Sequence, residues 1–453
     1  MAGPRGKIDG NFSRGALVSA SHDPSVSGAA PASVRRVSII VTALCWFALF
    51  SEGYDMGALG AVLPAMINDP VWRLDPAVAG MIASAALVGM FFGAYIFGTF
   101  ADRFGRKPSY LACFTLFSVA SGLAAIAPSP AIFALCRFFA GAGVGGIVPI
   151  AAALTCEYAP PGKANRQFAI MYSGYSVGIF GAALCSFLAV ETHGWRFVIG
   201  LGAAALLLLP VMIRYLPESI AFLLARGRDE EAQAIALRLD VPMRGDTDDG
   251  GQGTGARPGV RALFRPGWIS ATLGFWFATF SGMILVYGLN TWLPQIMRAA
   301  GYDLGPSIMF LGVFALASSV GGILLGAIAD RVGRGLTIMA AFAVGAVAIL
   351  MLSHAWPLPV TYGIVAIAGV GSVSAAVMVT SYLSSYFPAN LRATAVGCCI
   401  SFSRFGAVSG PLIGGFIAKY HLAISWNFVA FALAGLGAGA SMLLVPRNPA
   451  TRA

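Results

Sequence analysis

The sequence predicts an all-α, polytopic membrane protein of twelve transmembrane helices in two pseudo-symmetric six-helix halves. Three observations carry that prediction. Of the 453 residues, 58% are apolar and only 11% charged, against about 25% charged in an average soluble chain, so the charges are too few to cover a water-facing surface. The apolar residues lie in long runs, and one bilayer crossing takes ~20 of them. Short motifs in the first half also recur in the second at a constant spacing.

Along the chain, residues 1–36 are rich in Ser, Gly, Ala, Pro and Arg and lack an apolar core, so they are expected to be a disordered cytoplasmic tail and not a cleaved signal. Apolar windows between charges and Pro/Gly breaks then predict spans at 37–60, 78–99, 109–127, 131–154, 168–190 and 196–216, which make an N-terminal half over 37–216. Residues 217–265 follow as a cytoplasmic linker, whose central run Asp246–Gly255 (DTDDGGQGTG) is too polar to span and too Gly-rich for a firm helix. Spans at 268–290, 306–328, 336–353, 358–382, 393–417 and 424–445 make the C-terminal half over 266–445, and 446–453 is a second cytoplasmic tail.

Charge sets the expected orientation. With the N-terminus in the cytoplasm, 23 of the 29 Lys and Arg residues fall on that side and four (Arg73, Arg196, Arg298, Lys419) on the other, a bias that fits the positive-inside rule with both termini cytoplasmic. The net charge of +10 is therefore a topology signal; the basic residues form no stripe of the kind nucleic acid requires. All seven cysteines sit in or at the ends of apolar segments without CxxC spacing, so neither a disulfide framework nor a zinc site is indicated. No metal or cofactor is expected.

The repeat is specific. Gly98, Asp102, Arg103, Gly105 and Arg106 in GTFADRFGRK recur 228 residues later as Gly326, Asp330, Arg331, Gly333 and Arg334 in GAIADRVGRG, and Tyr158 and Pro160 recur at the same offset as Tyr386 and Pro388. Six spans intervene, so both copies share one orientation, the parallel repeat of a two-half transporter whose site lies near mid-bilayer between the halves. Gly98 is expected to let span two pack closely on a neighbour, Asp102 to cap or pair at a helix end, and the basic group to anchor the cytoplasmic face.

At these residues the chain resembles the major facilitator superfamily, whose signature loop has the form GxxxDRxGRK; the second copy departs from it with Gly335 in place of Lys. A finer resemblance, to the aromatic acid:proton symporter family, rests on Glu52-Gly-Tyr-Asp55 in SEGYDMGALG, with Glu where many members carry Asp. It rests further on Arg137 in RFFAGAGVGG, Glu157 in CEYAPP, Arg392 in PANLRATAVG and Arg404 in SFSRFGAVSGPLIGG. The resemblance implies a secondary active transporter that imports an aromatic carboxylate, of benzoate or hydroxybenzoate type, by proton symport with alternating access. Other organic anions and multidrug antiport are the alternatives. A membrane enzyme is less favoured, because no nucleophile motif or metal-ligand spacing occurs in the loops, and a membrane sensor without transport is the remaining, less favoured alternative. A monomer in the inner (plasma) membrane is expected, its partners being the bilayer, the acid and protons.

Away from span ends, four ionisable residues lie in apolar segments: Glu52, Asp55, Arg137 and Arg404. A charge at mid-bilayer costs ~2.5 to 3.5 kcal/mol, so each normally faces a cavity or a partner. At 1.5 Å per residue Glu52 lies roughly 22 Å into span one, Arg137 roughly 9 Å into span four and Arg404 roughly 17 Å into span eleven, depths compatible with one site. Glu52 and Asp55, three apart on one helical face, are the candidate proton-coupling pair, since adjacent carboxylates disfavour double ionisation. Arg404 is the candidate for the substrate carboxylate because a guanidinium stays charged and offers a planar fork. Arg137 is a further candidate in the binding set, as gate, relay or packing partner of either carboxylate. Among the aromatics Tyr54, Phe92, Tyr95, Tyr172, Tyr175, Tyr287, Trp292, Phe402 and Phe405, the binding set takes Tyr54, Tyr175 and Phe402 to hold a ring. Glu157 with Arg166, and Arg392, are expected to form latches at the cytoplasmic helix ends.

Overall fold

The computed structural model describes residues 31–241, 259–420 and 422–446, except the side chains of 389, 390 and 393. Within these, the first helices are α1 (Ala32–Ile67), α2 (Pro76–Phe104), α3 (Arg106–Ala125), α4 (Pro130–Glu157) and α5 (Ala164–Gly200), followed by a 3-10 turn (Leu201–Leu208) and α6 (Leu209–Tyr215). Local chemistry sets their ends. Asp75 Oδ1 accepts the Ala77 N–H at 2.7 Å and Ser129 Oγ the Ile132 N–H at 3.4 Å, each just before a proline at the first helical position. Between α2 and α3 the chain turns at Gly105 with φ 112°, a conformation side chains resist.

After the linker come α9 (Ile269–Ala299), α10 (Leu304–Val332), α11 (Arg334–Met351), α12 (Leu358–Gly369), a π-helical turn (Val370–Ser374), α13 (Ala375–Tyr386), α14 (Ala389–Lys419) and α15 (Ser425–Ser441). Eleven helical stretches among the described residues are long and apolar enough to cross a membrane. The longest, Ala164–Tyr215, breaks at Gly194 with φ 78°. Its limbs correspond to the expected fifth and sixth spans, so counting each as one crossing gives twelve.

Several boundaries differ from the sequence expectation. α1 begins at Ala32, so 32–36 belong to a helix and not to a tail; residues 1–30 lie outside the described residues. α1 and α9 outlast the predicted ends at 60 and 290, continuing past a proline (Pro64, Pro294) with buried residues as far as Met66 and Met297. The linker carries α7 (Ile220–Ala225), α8 (Asp229–Leu239) and a 3-10 turn (Val260–Phe264), while Asp246–Gly255 lies outside the described residues. Acids in the first turn of α8 and Arg238 in its last suit the helix dipole.

The sequence repeat is also a repeat of contacts. Ser109 Oγ donates to the Gly105 carbonyl at 2.6 Å, and Thr337 Oγ1, 228 residues on, to that of Gly333 at 3.0 Å. Tyr158 donates to the Glu218 carbonyl at 2.5 Å and Tyr386 to that of Pro446 at 3.2 Å, again 228 apart on both sides. Gly143 meets Cys113 and Phe117 where Gly371 meets Ala341 and Gly345.

Contacts between the first six and last six spans gather at the ends remote from the signature loops. Gly60 abuts Asn290, Gly80 abuts Pro411 and Gly415, and Gly312 abuts Phe180 and Ala183. Ser84 Oγ donates to the Val408 carbonyl at 2.9 Å. Toward the signature loops, Gly98, Gly326 and Gly397 have no neighbour within 4 Å of where a Cβ would stand. The expected close packing of Gly98 on a neighbour is therefore absent in this conformation. The molecule is closed at the far end and split at the signature end.

Candidate functional site

Four buried or half-buried charges meet near the middle of the bundle, and small residues bring them there. α1 and α5 close tightly where Gly53 abuts the Tyr175 backbone, Gly57 the Ile179 backbone and Gly178 the Phe50 carbonyl. That approach sets Tyr175 beside Glu52. In the other half α14 closes on α9 where Gly406 abuts the Phe280 carbonyl and Gly410 lies against Ile284 and Gly288, which brings Arg404 beside Tyr287.

Asp55 and Arg137 form an ion pair with Nη1 to Oδ2 at 2.5 Å, only 3% and 1% exposed. Ser121 Oγ on α3 donates to the other Asp55 oxygen at 3.1 Å. Both Asp55 oxygens are thereby engaged inside the N-terminal helices, and of the alternatives open for Arg137 the partner is Asp55. Ser121 was not singled out by the sequence; its only signal is a hydroxyl within an apolar span.

Glu52 is different. It is 3% exposed, and its Oε2 has no hydrogen-bond partner among the described residues. It lies within electrostatic reach of Arg404, Tyr172, Tyr175 and Tyr287. Arg404 is half-buried and makes no ion pair among the described residues. The Tyr172 and Tyr175 rings stack at 6.1 Å. A carboxylate from α1, a guanidinium from α14 and three phenols thus converge across the boundary between the halves, on the split side of the contact zone. A ligand there finds one cation, hydroxyls and flat aromatic faces.

The other ring candidates are placed elsewhere. Tyr54 is buried in the N-terminal helices with its hydroxyl on the Val198 carbonyl at 2.9 Å. Phe402 stacks on Trp276 at 4.9 Å, two residues before Arg404 on α14 and so on a different face of that helix. Trp292 is 1% exposed and donates to the Pro411 carbonyl at 2.8 Å. Phe92, Tyr95 and Phe405 are exposed.

At the signature end the expected latch has a different partner. Glu157 pairs with Arg106 at 2.9 Å and accepts from Ser219 Oγ at 2.6 Å and the Ala221 N–H at 3.0 Å, whereas Arg166 is exposed and outside this network. Glu218, which the sequence reading missed, receives the backbone N–H groups of Arg106 at 2.8 Å and Lys107 at 3.1 Å. The Asp102 carbonyl accepts from Arg226, while the Asp102 side chain makes no ion pair among the described residues. Arg103 leans over the Phe104 ring at 5.5 Å. In the second copy Arg334 reaches Ser385, the position equivalent to Glu157, at 2.5 Å. Asp330, Arg331 and Arg392 are exposed and unpaired by ion pairs among the described residues.

On the far face a cage joins three turns. Asp69 accepts from the Trp195 indole at 2.8 Å, and Arg196 lies over Trp72 at 4.9 Å and bonds the Ala127 carbonyl at 2.9 Å. Burial alone would push the Asp69 carboxyl up, but the hydrogen bonds from Trp195, Trp72 and Val71, with the Arg196 charge, hold it below the ordinary carboxylate range.

Comparison with known proteins agrees with this architecture. The family model described as Major Facilitator Superfamily matches residues 45–398 and again 313–453. A benzoate transport protein of Acinetobacter baylyi is 32% identical over 88% of this chain and 86% of its own length. A gentisate transporter of Corynebacterium glutamicum is 31% identical over 89% of this chain and 86% of its own. Among solved structures, the xylose transporter XylE of E. coli, described as in a partially occluded inward open conformation, superposes with a TM-score of 0.69 at 18% identity, covering 90% of this chain and 97% of that one.

Proposed function

Because this chain belongs to the major facilitator superfamily, a family of membrane transporters, we propose that it imports a small aromatic carboxylate, of benzoate or hydroxybenzoate type, by proton symport across the inner membrane. Both termini are cytoplasmic in this reading, so the split end faces the cytoplasm and the conformation is inward-open. The observation that carries the proposal is the meeting of buried Glu52, whose Oε2 has no hydrogen-bond partner among the described residues, with Arg404 of the opposite half, which makes no ion pair among them. The relatives named for benzoate and gentisate support the substrate class.

In this mechanism Arg404 holds the substrate carboxylate, and Tyr172, Tyr175 and Tyr287 flank the ring and its substituents. Glu52 takes the proton. Its charged form is stabilised by Arg404 while the site is empty, and a substrate anion that captures the guanidinium removes that stabilisation and favours protonation. Binding of anion and proton are coupled through one arginine. Asp55 serves as a strut, because its charge is already neutralised by Arg137. The proton also answers an energetic need, since a monocarboxylate entering a negative-inside cell climbs about 2.3 kcal/mol per 100 mV. Rocking of the two repeats then closes the cytoplasmic end around Gly98 and opens the far end.

A multidrug antiporter for lipophilic cations fits less well, because Arg404 repels a cation, and the Glu52 carboxylate that could attract one lies within reach of that same guanidinium. Uptake of labelled benzoate into proteoliposomes tests the reading: an inward proton gradient accelerates accumulation, and Arg404→Ala abolishes it. Accumulation indifferent to the gradient would refute the coupling, and full uptake by Arg404→Ala would refute the anion site.

A further inference from the structure

We propose that a groove formed by α3, α6 and α8 at the signature end binds the phosphate of an anionic phospholipid, with an acyl chain along its apolar wall. Lys107, Arg214 and Arg238 line this cavity together with Leu206, Leu209, Pro210 and Ile213. Three cations from three separate elements converge there. Arg214 and Arg238 are exposed and make no ion pair among the described residues. Lys107 Nζ donates to the Ile213 carbonyl at 2.8 Å, which leaves two of its three donors. Lys107 is near enough to Arg238 for their charges to repel, a tension that an anion relieves. Glu218, the carboxylate acting on Lys107, is engaged by the backbone N–H groups of Arg106, Lys107 and Ser219.

The surroundings select a lipid over a soluble anion. Leu207, Val211, Ile213 and Tyr215 are exposed along the outer face of the sixth span, where an apolar face ending in a tyrosine matches the hydrocarbon-to-headgroup boundary. The wall of Leu206, Leu209 and Pro210 continues that face into the groove. Basic pockets between helices at this depth suit anionic headgroups. α8 belongs to the linker, so a lipid bridging Arg238 to Lys107 and Arg214 fastens the linker onto the bundle beside the signature loop.

Thermal melting and native mass spectrometry of the full chain in detergent test this, with phosphatidylglycerol, cardiolipin, phosphatidylcholine or inorganic phosphate added. The expected result is a rise of several degrees and a retained lipid adduct with the anionic lipids alone. Most of both is lost in the double variant Arg214→Gln, Arg238→Gln, whose lipid-free melting is unchanged. Should that variant not melt cooperatively, Arg238→Glu on the exposed side of α8 is read the same way. Equal stabilisation of the variants, equal stabilisation by phosphatidylcholine, or its reproduction by inorganic phosphate alone would overturn the lipid assignment.

Discussion

Glu52 and Asp55 lie one helical turn apart, yet their surroundings give them opposite tasks. Asp55 is bound by Arg137 and Ser121, so Asp55→Asn strands a buried guanidinium and is expected to cost about 3–5 kcal/mol, read as loss of folded protein in detergent. Glu52→Gln removes a carboxylate that had no hydrogen-bond partner at Oε2. It is expected to fold normally and to retain substrate exchange while losing gradient-driven accumulation. If Asp55→Asn folded well and only Glu52→Gln collapsed, the two assignments would have to be interchanged. Asp69 belongs to a different chemistry. With its carboxyl held low, the stability it contributes is present above the ordinary carboxylate range and is lost as the pH falls through that range and below. Melting temperature should fall more steeply with acid in the wild type than in Asp69→Asn.

The paired turns show what one substitution does to a repeated element. Arg106 holds Glu157, which in turn holds Ser219 and α7, whereas Arg334 reaches the neutral Ser385 at the equivalent position. The Arg106–Glu157 bond is part-buried and charged on both sides, whereas the Arg334–Ser385 bond is exposed and charged on one side only, so Arg106→Ala is expected to cost about 2 kcal/mol against about 1 for Arg334→Ala. Chemical denaturation of the two variants measures the difference, and equal losses would mean that the ion pair adds nothing. Glu157 has a further consequence for exchange: Glu157→Gln should speed amide exchange through α7, where the Ala221 N–H loses its charged acceptor.

At the scale of the molecule, the contacts between halves determine which end is open. Ser84 meets Val408 at the far end, while Gly98 faces empty space at the signature end. A disulfide between cysteines at 84 and 408, in a background without the native cysteines, should form readily and stop transport until reduced. Gly98→Leu should melt like the wild type, since its side chain meets nothing in this conformation, and yet transport slowly because the alternative closed end has no room for it. Transport at the wild-type rate by Gly98→Leu would exclude the rocking motion proposed here.

Composition, the apolar runs and the 228-residue repeat were enough to determine the fold class, because a bilayer admits few structures and each needs a long apolar helix. The same scarcity of polar groups made Glu52, Asp55, Arg137 and Arg404 stand out. Their partnerships were not legible. Which carboxylate Arg137 took, that Glu157 turned to Arg106 and not Arg166, and that Tyr287 and not Phe402 adjoined Glu52 and Arg404 depended on helix rotation and on a few glycine contacts. Hydropathy fixes that a helix crosses; only the interlocking of neighbouring helices fixes which way each side chain looks.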